Sequence, residues 1–152
     1  MVFAMGVKRK RGFAYMEILL VAAVLAVGIG TAVPAIQTYE GKQRLETAAQ
    51  QTAGALRQVQ QDARNIDAAR AERPIFTYSG SRYGISRNLK TSYRYLPKGT
   101  SFVSSGQIYF DIDTSGKPVS TKKTVVIQEA STGKQVKVIV QAQSGRIRIS
   151  WE

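Results

Sequence analysis

The feature that most constrains this chain is an apolar run from Phe13 to Ile36, FAYMEILLVAAVLAVGIGTAVPAI, entered through the basic cluster Lys8-Arg9-Lys10-Arg11-Gly12. Its 24 residues carry a single charge, Glu17. As a helix, a run of that length suits one membrane span. Four basic residues with no acid on its N-terminal side set that end in the cytoplasm and the rest of the chain across the membrane. A secretory signal peptide is the competing reading, with Ala32-Val33-Pro34-Ala35 as a loose cleavage site. Against it, the run is longer than a signal's apolar region, Glu17 interrupts its start, and Pro34 sits inside the cleavage motif. A lone carboxylate near the start of a span costs on the order of a few kcal/mol unless it is neutralised or paired, so Glu17 is a functional candidate.

No linker follows the run. Leu45, Ala49, Thr52, Leu56, Val59, Ala63 and Ile66 recur at alternating steps of four and three, one stripe of an amphipathic helix. Arg44, Gln50, Arg57, Gln61, Arg64 and Asp67 fall on its wet side, and Glu40 and Arg44 have the favourable i,i+4 order. Pro74 supplies the stop, because the residue before a proline avoids the α region. The pattern predicts one helix from Phe13 to about Glu72, with its first half in lipid and its second along a domain. Gly28, Gly30 and Pro34 should bend or loosen it near the junction.

Beyond Pro74 the period changes. Ile75-Phe76-Thr77-Tyr78 reads as a short strand, Ser79 to Ser86 as a Gly/Ser-rich stretch that opens a long Ser/Gly/Tyr-rich loop region reaching Ser105, and Pro97-Lys98-Gly99 as a turn within it. Ile108, Phe110 and Ile112 alternate with Tyr109, Asp111 and Asp113 up to Ser115-Gly116. Thr124 to Glu129 and Gln135 to Ala142 are strands joined by Ser131-Thr132-Gly133-Lys134. A last hairpin turns at Ser144-Gly145, with Ile147, Ile149 and Trp151 toward the core and Arg146, Arg148 and Ser150 outward. The plan is α+β, a long N-terminal helix packed on an antiparallel β-meander.

The chain has no cysteine and no histidine, which removes disulfide staples, His-dependent triads and the usual zinc ligand. No nucleophile elbow, phosphate loop or carboxylate pair in a plausible cleft is present, so the chain reads as non-enzymatic and without a cofactor. Net charge is +12; without the four cluster residues, 18 basic residues still face 10 acidic ones. Such an excess suits an anionic partner, or serves solubility alone.

Gly12-Phe13-Ala14-Tyr15-Met16-Glu17-Ile18-Leu19-Leu20 resembles the class III signal of type IV pilins and type II secretion pseudopilins, usually written G-F-T-L-I-E-L-L. Shared are the glycine, the phenylalanine, the acid four residues after it and the unbroken apolar helix. Ala14, Tyr15 and Met16 depart from the pattern, and Pro34 falls where the family commonly carries a proline. The resemblance implies a pilin-like fold and a basic leader, residues 1–12, removed by a prepilin peptidase that cuts between Gly12 and Phe13 and methylates the new amine. It implies a transmembrane and assembly helix over 13–36, and an extracytoplasmic domain over 37–152 (amphipathic helix 37–72, loops and sheet 73–152). It further implies that Glu17 pairs with the N-terminal amine of a neighbouring subunit. The protein would sit in the bacterial inner membrane as a single-pass subunit, then in an extracytoplasmic filament with other pilins or pseudopilins. Ile108-Tyr109-Phe110-Asp111, Gly116, Val125–Ile127 and Gly145-Arg146-Ile147-Arg148-Ile149 are similar to the GspH/FimT-like branch of minor pilins and pseudopilins.

Residues 73–110 hold six bases, no acid and the interleaved Tyr78, Tyr83, Tyr93 and Tyr95. Bases neutralise phosphates and aromatic faces stack on nucleobases, so Arg82, Arg87, Lys90 and Arg94 are candidate DNA contacts. Arg146 and Arg148 join them, since the resemblance to the FimT-like branch implies DNA binding in natural transformation through a G-R-x-R motif. The bland alternative is a solvated basic loop with half-buried tyrosines. Asp111-x-Asp113-x-Ser115-Gly116 resembles the first half of a calcium loop, but its twelfth position is Lys122, and a hairpin turn is the better reading.

Overall fold

The computed structural model of the chain describes residues 11–65, 73–87, 89–112, 118–142 and 144–151, the side chains of 11–14, 30–35 and 118–119 excepted. One helix, α1 (Arg11–Arg64), makes up the first stretch of the described residues. Its helical backbone continues through Gly28, Gly30 and Pro34, while the side chains of Phe13 and Pro34, and the surroundings of Gly12 and Gly30, lie outside what the structure describes. The expected extension to Glu72 is corrected at its end: α1 stops at Arg64 and Asn65 begins a turn, its N–H donating to the Asp62 carbonyl at 3.1 Å. Ile66, Asp67 and Glu72 lie outside the described residues.

The chain divides into two units, residues 1–38 and 39–152. In the first, every described side chain from Tyr15 to Ile29 is exposed, Glu17 among them. Among the described residues no helix is long and apolar enough to cross a membrane.

In the second unit the stripe behaves as its spacing demands. Leu45, Ala49, Thr52, Leu56, Val59 and Ala63 are buried, while Arg44, Gln50, Arg57, Gln61 and Arg64 stay wet. Arg44 pairs with Glu40 at 2.7 Å. The strands are β1 (Ile75–Ser79), β2 (Arg82–Arg87), β3 (Lys90–Tyr95), β4 (Thr100–Phe102), β5 (Gly106–Tyr109), β6 (Asp111–Ile112), β7 (Pro118–Val119), β8 (Lys123–Glu129), β9 (Gln135–Val140) and β10 (Ile147–Trp151).

They do not form one meander. Two four-stranded antiparallel sheets, ordered β3-β2-β1-β5 and β10-β9-β8-β4, share one core with the helix stripe, and β6 pairs with β7 in a small ribbon. The Leu96–Gly99 connection carries the chain from the first sheet to the second, and β5 returns it to the first, beside β1. Tyr78 of β1 meets Phe102 of β4, ring centroids 5.2 Å apart, where the sheets adjoin. Phe102 N–H also donates to the Gly80 carbonyl at 2.7 Å.

The region from Ser79 to Ser105 expected as a loop holds strands β2, β3 and β4. In β2, Tyr83 and Ile85 are buried in the core, and the glycine between them is covered as well, so the strand's period is masked by Gly84 and Ser86. One residue expected in the core is not there: Trp151 is 48% exposed at the end of an edge strand, although its companions Ile147 and Ile149 pack against the core; Ile112, in series with the buried Ile108 and Phe110, is also exposed. Asp113, Ser115 and Gly116 of the calcium-like stretch lie outside the described residues.

Candidate functional site

The hairpin of β2 and β3 gathers four of the six expected DNA contacts. Its register pairs Arg82 with Tyr95, Tyr83 with Arg94, Gly84 with Tyr93, Ile85 with Ser92 and Arg87 with Lys90. Successive strand residues face opposite sides, so the hairpin has two distinct faces.

On the core-side face, Tyr83 and Ile85 are buried, but β3 is the edge strand and its residues Lys90, Ser92 and Arg94 remain exposed. They border a groove of about 510 Å³ that also includes Gln58 of α1, Ile85 and Arg87. Arg87 forms an ion pair with Asp62 of the helix, tying β2 to α1. Lys90 and Arg94 have no ion-pair partner among the described residues. The groove is therefore cationic along its β3 wall.

The outer face carries aromatic surface instead. The Arg82 guanidinium lies 5.2 Å from the centroid of the Tyr93 ring, a cation–π contact, and Tyr93 and Tyr95 are both exposed. Gly84 makes this face possible. A Cβ there would lie 2.9 Å from Thr91 Cγ2, 3.0 Å from Thr77 Oγ1 and 3.1 Å from Tyr93 Cδ1, so only glycine lets the neighbours close over β2.

Arg146 and Arg148 do not join this cluster. They are exposed, but Arg148 lies on β10 at the edge of the second sheet and Arg146 in the turn before it. Arg73, another base of the acid-free stretch, pairs with Asp111 at 2.6 Å. The six candidate contacts are thus split between the β2–β3 hairpin of the first sheet and the β10 side of the second.

Sequence reasoning missed one buried charged group. Glu129, at the end of β8, is 1% exposed. Ser131 Oγ donates to both of its carboxylate oxygens at 2.8 Å, and Thr132 donates to Oε2 through its backbone N–H at 2.7 Å and its hydroxyl at 2.8 Å. Burial pushes this carboxyl's pKa up, but the hydrogen bonds from Thr132 and Ser131 outweigh it and pull the value down to about 2. Gly41 of α1 passes directly over the site; a Cβ there would lie 3.2 Å from Oε2. The signal was available: Val125, Ile127 and Glu129 share the inward side of β8, and an acid in that series needs local donors such as the following Ser-Thr.

Compared with protein-family models, curated proteins and solved structures, the chain finds no match. Among the described residues no group of three or more His, Cys, Asp or Glu side chains is placed to hold a metal ion. The features with chemical content are the exposed apolar helix surface around Glu17 and the basic, tyrosine-bearing edge of the first sheet.

Proposed function

We propose that the protein is a minor pilin or pseudopilin, a non-enzymatic structural subunit of a type IV pilus or type II secretion-like filament, anchored in the inner membrane before assembly. One observation carries the reading. From Tyr15 to Ile29 α1 presents apolar side chains to solvent, interrupted only by Glu17, and the same helix continues as the buried stripe beneath two antiparallel sheets. A long helix whose first part is apolar all round needs lipid or other helices as its surroundings. Glu17, Ile18, Val21, Ala22 and Leu25 line a shallow groove along that stretch, at spacings that put them on one side of the helix.

In this reading a prepilin peptidase removes residues 1–12, and the freed amine of Phe13 on one subunit meets Glu17 of its neighbour. Each charge relieves the desolvation penalty of the other in an apolar helix bundle. Mass spectrometry of the mature protein tests the processing: an N-terminus other than methylated Phe13 removes the reading. Glu17→Ala should leave cleavage intact and abolish incorporation into filaments, as read by immunoblotting of sheared filament fractions. Normal incorporation of that variant refutes the pairing role.

A further inference from the structure

The free edge of β3 has properties that filament assembly through α1 does not use. All six residues of β3 are exposed, and the strand ends the first sheet. Which of its backbone groups are free follows from one hydrogen bond. Leu96 N–H donates to the Ser81 carbonyl at 2.8 Å, and these two residues continue the β2–β3 register by one step. In an antiparallel ladder, hydrogen-bonded and non-bonded pairs alternate. Lys90, Ser92 and Arg94 therefore bond to β2, while Thr91, Tyr93 and Tyr95 turn their N–H and C=O groups outward from the sheet.

We propose that this edge is a docking site for an extended segment of another polypeptide, which adds to the sheet as a fifth strand and alternates acidic with apolar residues. The alternation follows from the two faces. Side chains of the incoming strand on the groove face would meet Lys90 and Arg94, which have no ion-pair partner among the described residues, and those on the outer face would meet the rings of Tyr93 and Tyr95. Opposite charges and aromatic–aliphatic pairs across neighbouring strands are each favourable. A second copy of this chain is a poorer occupant, because its own β3 would set like charges against Lys90 and Arg94. A nucleic acid would satisfy the cations and stack on the tyrosines, but its phosphodiester backbone offers acceptors and no donors to the outward carbonyls. The inference does not depend on the filament reading: the edge belongs to the second unit and stands whether or not Glu17 functions as proposed.

The test uses the full-length chain in detergent and a capped synthetic peptide of about eight residues alternating glutamate and valine, a typical strand length. Binding is followed by fluorescence anisotropy, and backbone protection by amide hydrogen exchange. Binding should protect the amides of Thr91, Tyr93 and Tyr95, while those of Lys90, Ser92 and Arg94, already bonded to β2, change little. Thr91→Pro removes an outward N–H and leaves the β2 ladder intact, as proline on the open side of an edge strand does. It should weaken binding by about tenfold or more, a loss of about 1.4 kcal/mol. The double variant Lys90→Glu and Arg94→Glu, which touches no backbone bond, should weaken it at least as much. Absence of peptide binding, or binding that neither variant affects, overturns the proposal. So does an oligothymidine probe that binds more tightly than the peptide, is lost with the charge reversal and is indifferent to Thr91→Pro; that result would assign the edge to nucleic acid.

Discussion

The two stretches of α1 are both rich in alanine and larger aliphatic residues, and they end in opposite surroundings. From Tyr15 to Ile29 every described side chain is exposed; from Leu45 to Ala63 one side of the helix is buried under two sheets and the other is wet. Arrangement makes the difference. Apolar residues on all sides leave no preferred direction for packing, and the stretch waits for an environment that is apolar all round. Apolar residues confined to one stripe, with Glu46, Arg57 and Gln61 opposite, select one buried face and so can be satisfied within the chain.

The sharpest way to break this comparison is to truncate one aliphatic residue in each stretch. Leu56→Ala should lower the unfolding free energy of the sheet-bearing unit by about 2–5 kcal/mol in urea titration, because Leu56 is fully buried. Leu25→Ala should leave it unchanged. Equal losses would mean that the two stretches share one core.

A smaller effect is expected at Glu129, beneath Gly41 at the start of the covered stretch. Glu129→Gln keeps the volume but weakens acceptors for Ser131 and Thr132, and should cost about 1–3 kcal/mol. The pH dependence carries a sign. The folded value lies near 2, below the ordinary 4.5, so the contribution is fully present above pH 4.5 and is lost as pH falls toward 2. Urea midpoints taken across that window should fall in the parent and lose much of that slope in Glu129→Gln.

The smallest effect should have the opposite direction. Thr52 lies on the buried stripe, and its hydroxyl has no hydrogen-bond partner among the described residues. Thr52→Val has nearly the same shape without the unsatisfied group, and should raise the unfolding free energy by about 1 kcal/mol in the same titration. A loss instead would show that the hydroxyl is bonded in solution.

Much of the fold could be read from periodicity, and what could not had physical causes. The helix stripe from Leu45 to Ala63 and the hairpins turning at Ser131–Lys134 and Ser144-Gly145 are local patterns, set by side chains within a few positions of one another. The split into two sheets is not local. It depends on β1 choosing β5 as its second neighbour, some thirty residues away, and nothing near Ile75 specifies that partner. Strand β2 was hidden because Gly84 looks like a loop residue until the strands that close over it are in place. Trp151 followed the alternation of Ile147 and Ile149, but alternation gives only the side of the strand and not whether anything covers that end. For the candidate site, the composition of 73–110 indicated basic residues among tyrosines. It could not show that Arg87 would be paired with Asp62, or that Arg148 would lie on another sheet.

The charges on β3 also bear on how the protein behaves in concentrated solution. Strands in a sheet lie about 4.8 Å apart, so two molecules meeting edge to edge would hold Lys90 and Arg94 against their own counterparts at close range. Lysine and arginine at an exposed edge are a common guard against stacking into fibres. That guard is electrostatic, and its reach shrinks from about 10 Å in 0.1 M salt to about 3 Å in 1 M. Strong brine therefore weakens the colloidal protection of this edge, while dilute buffer preserves it.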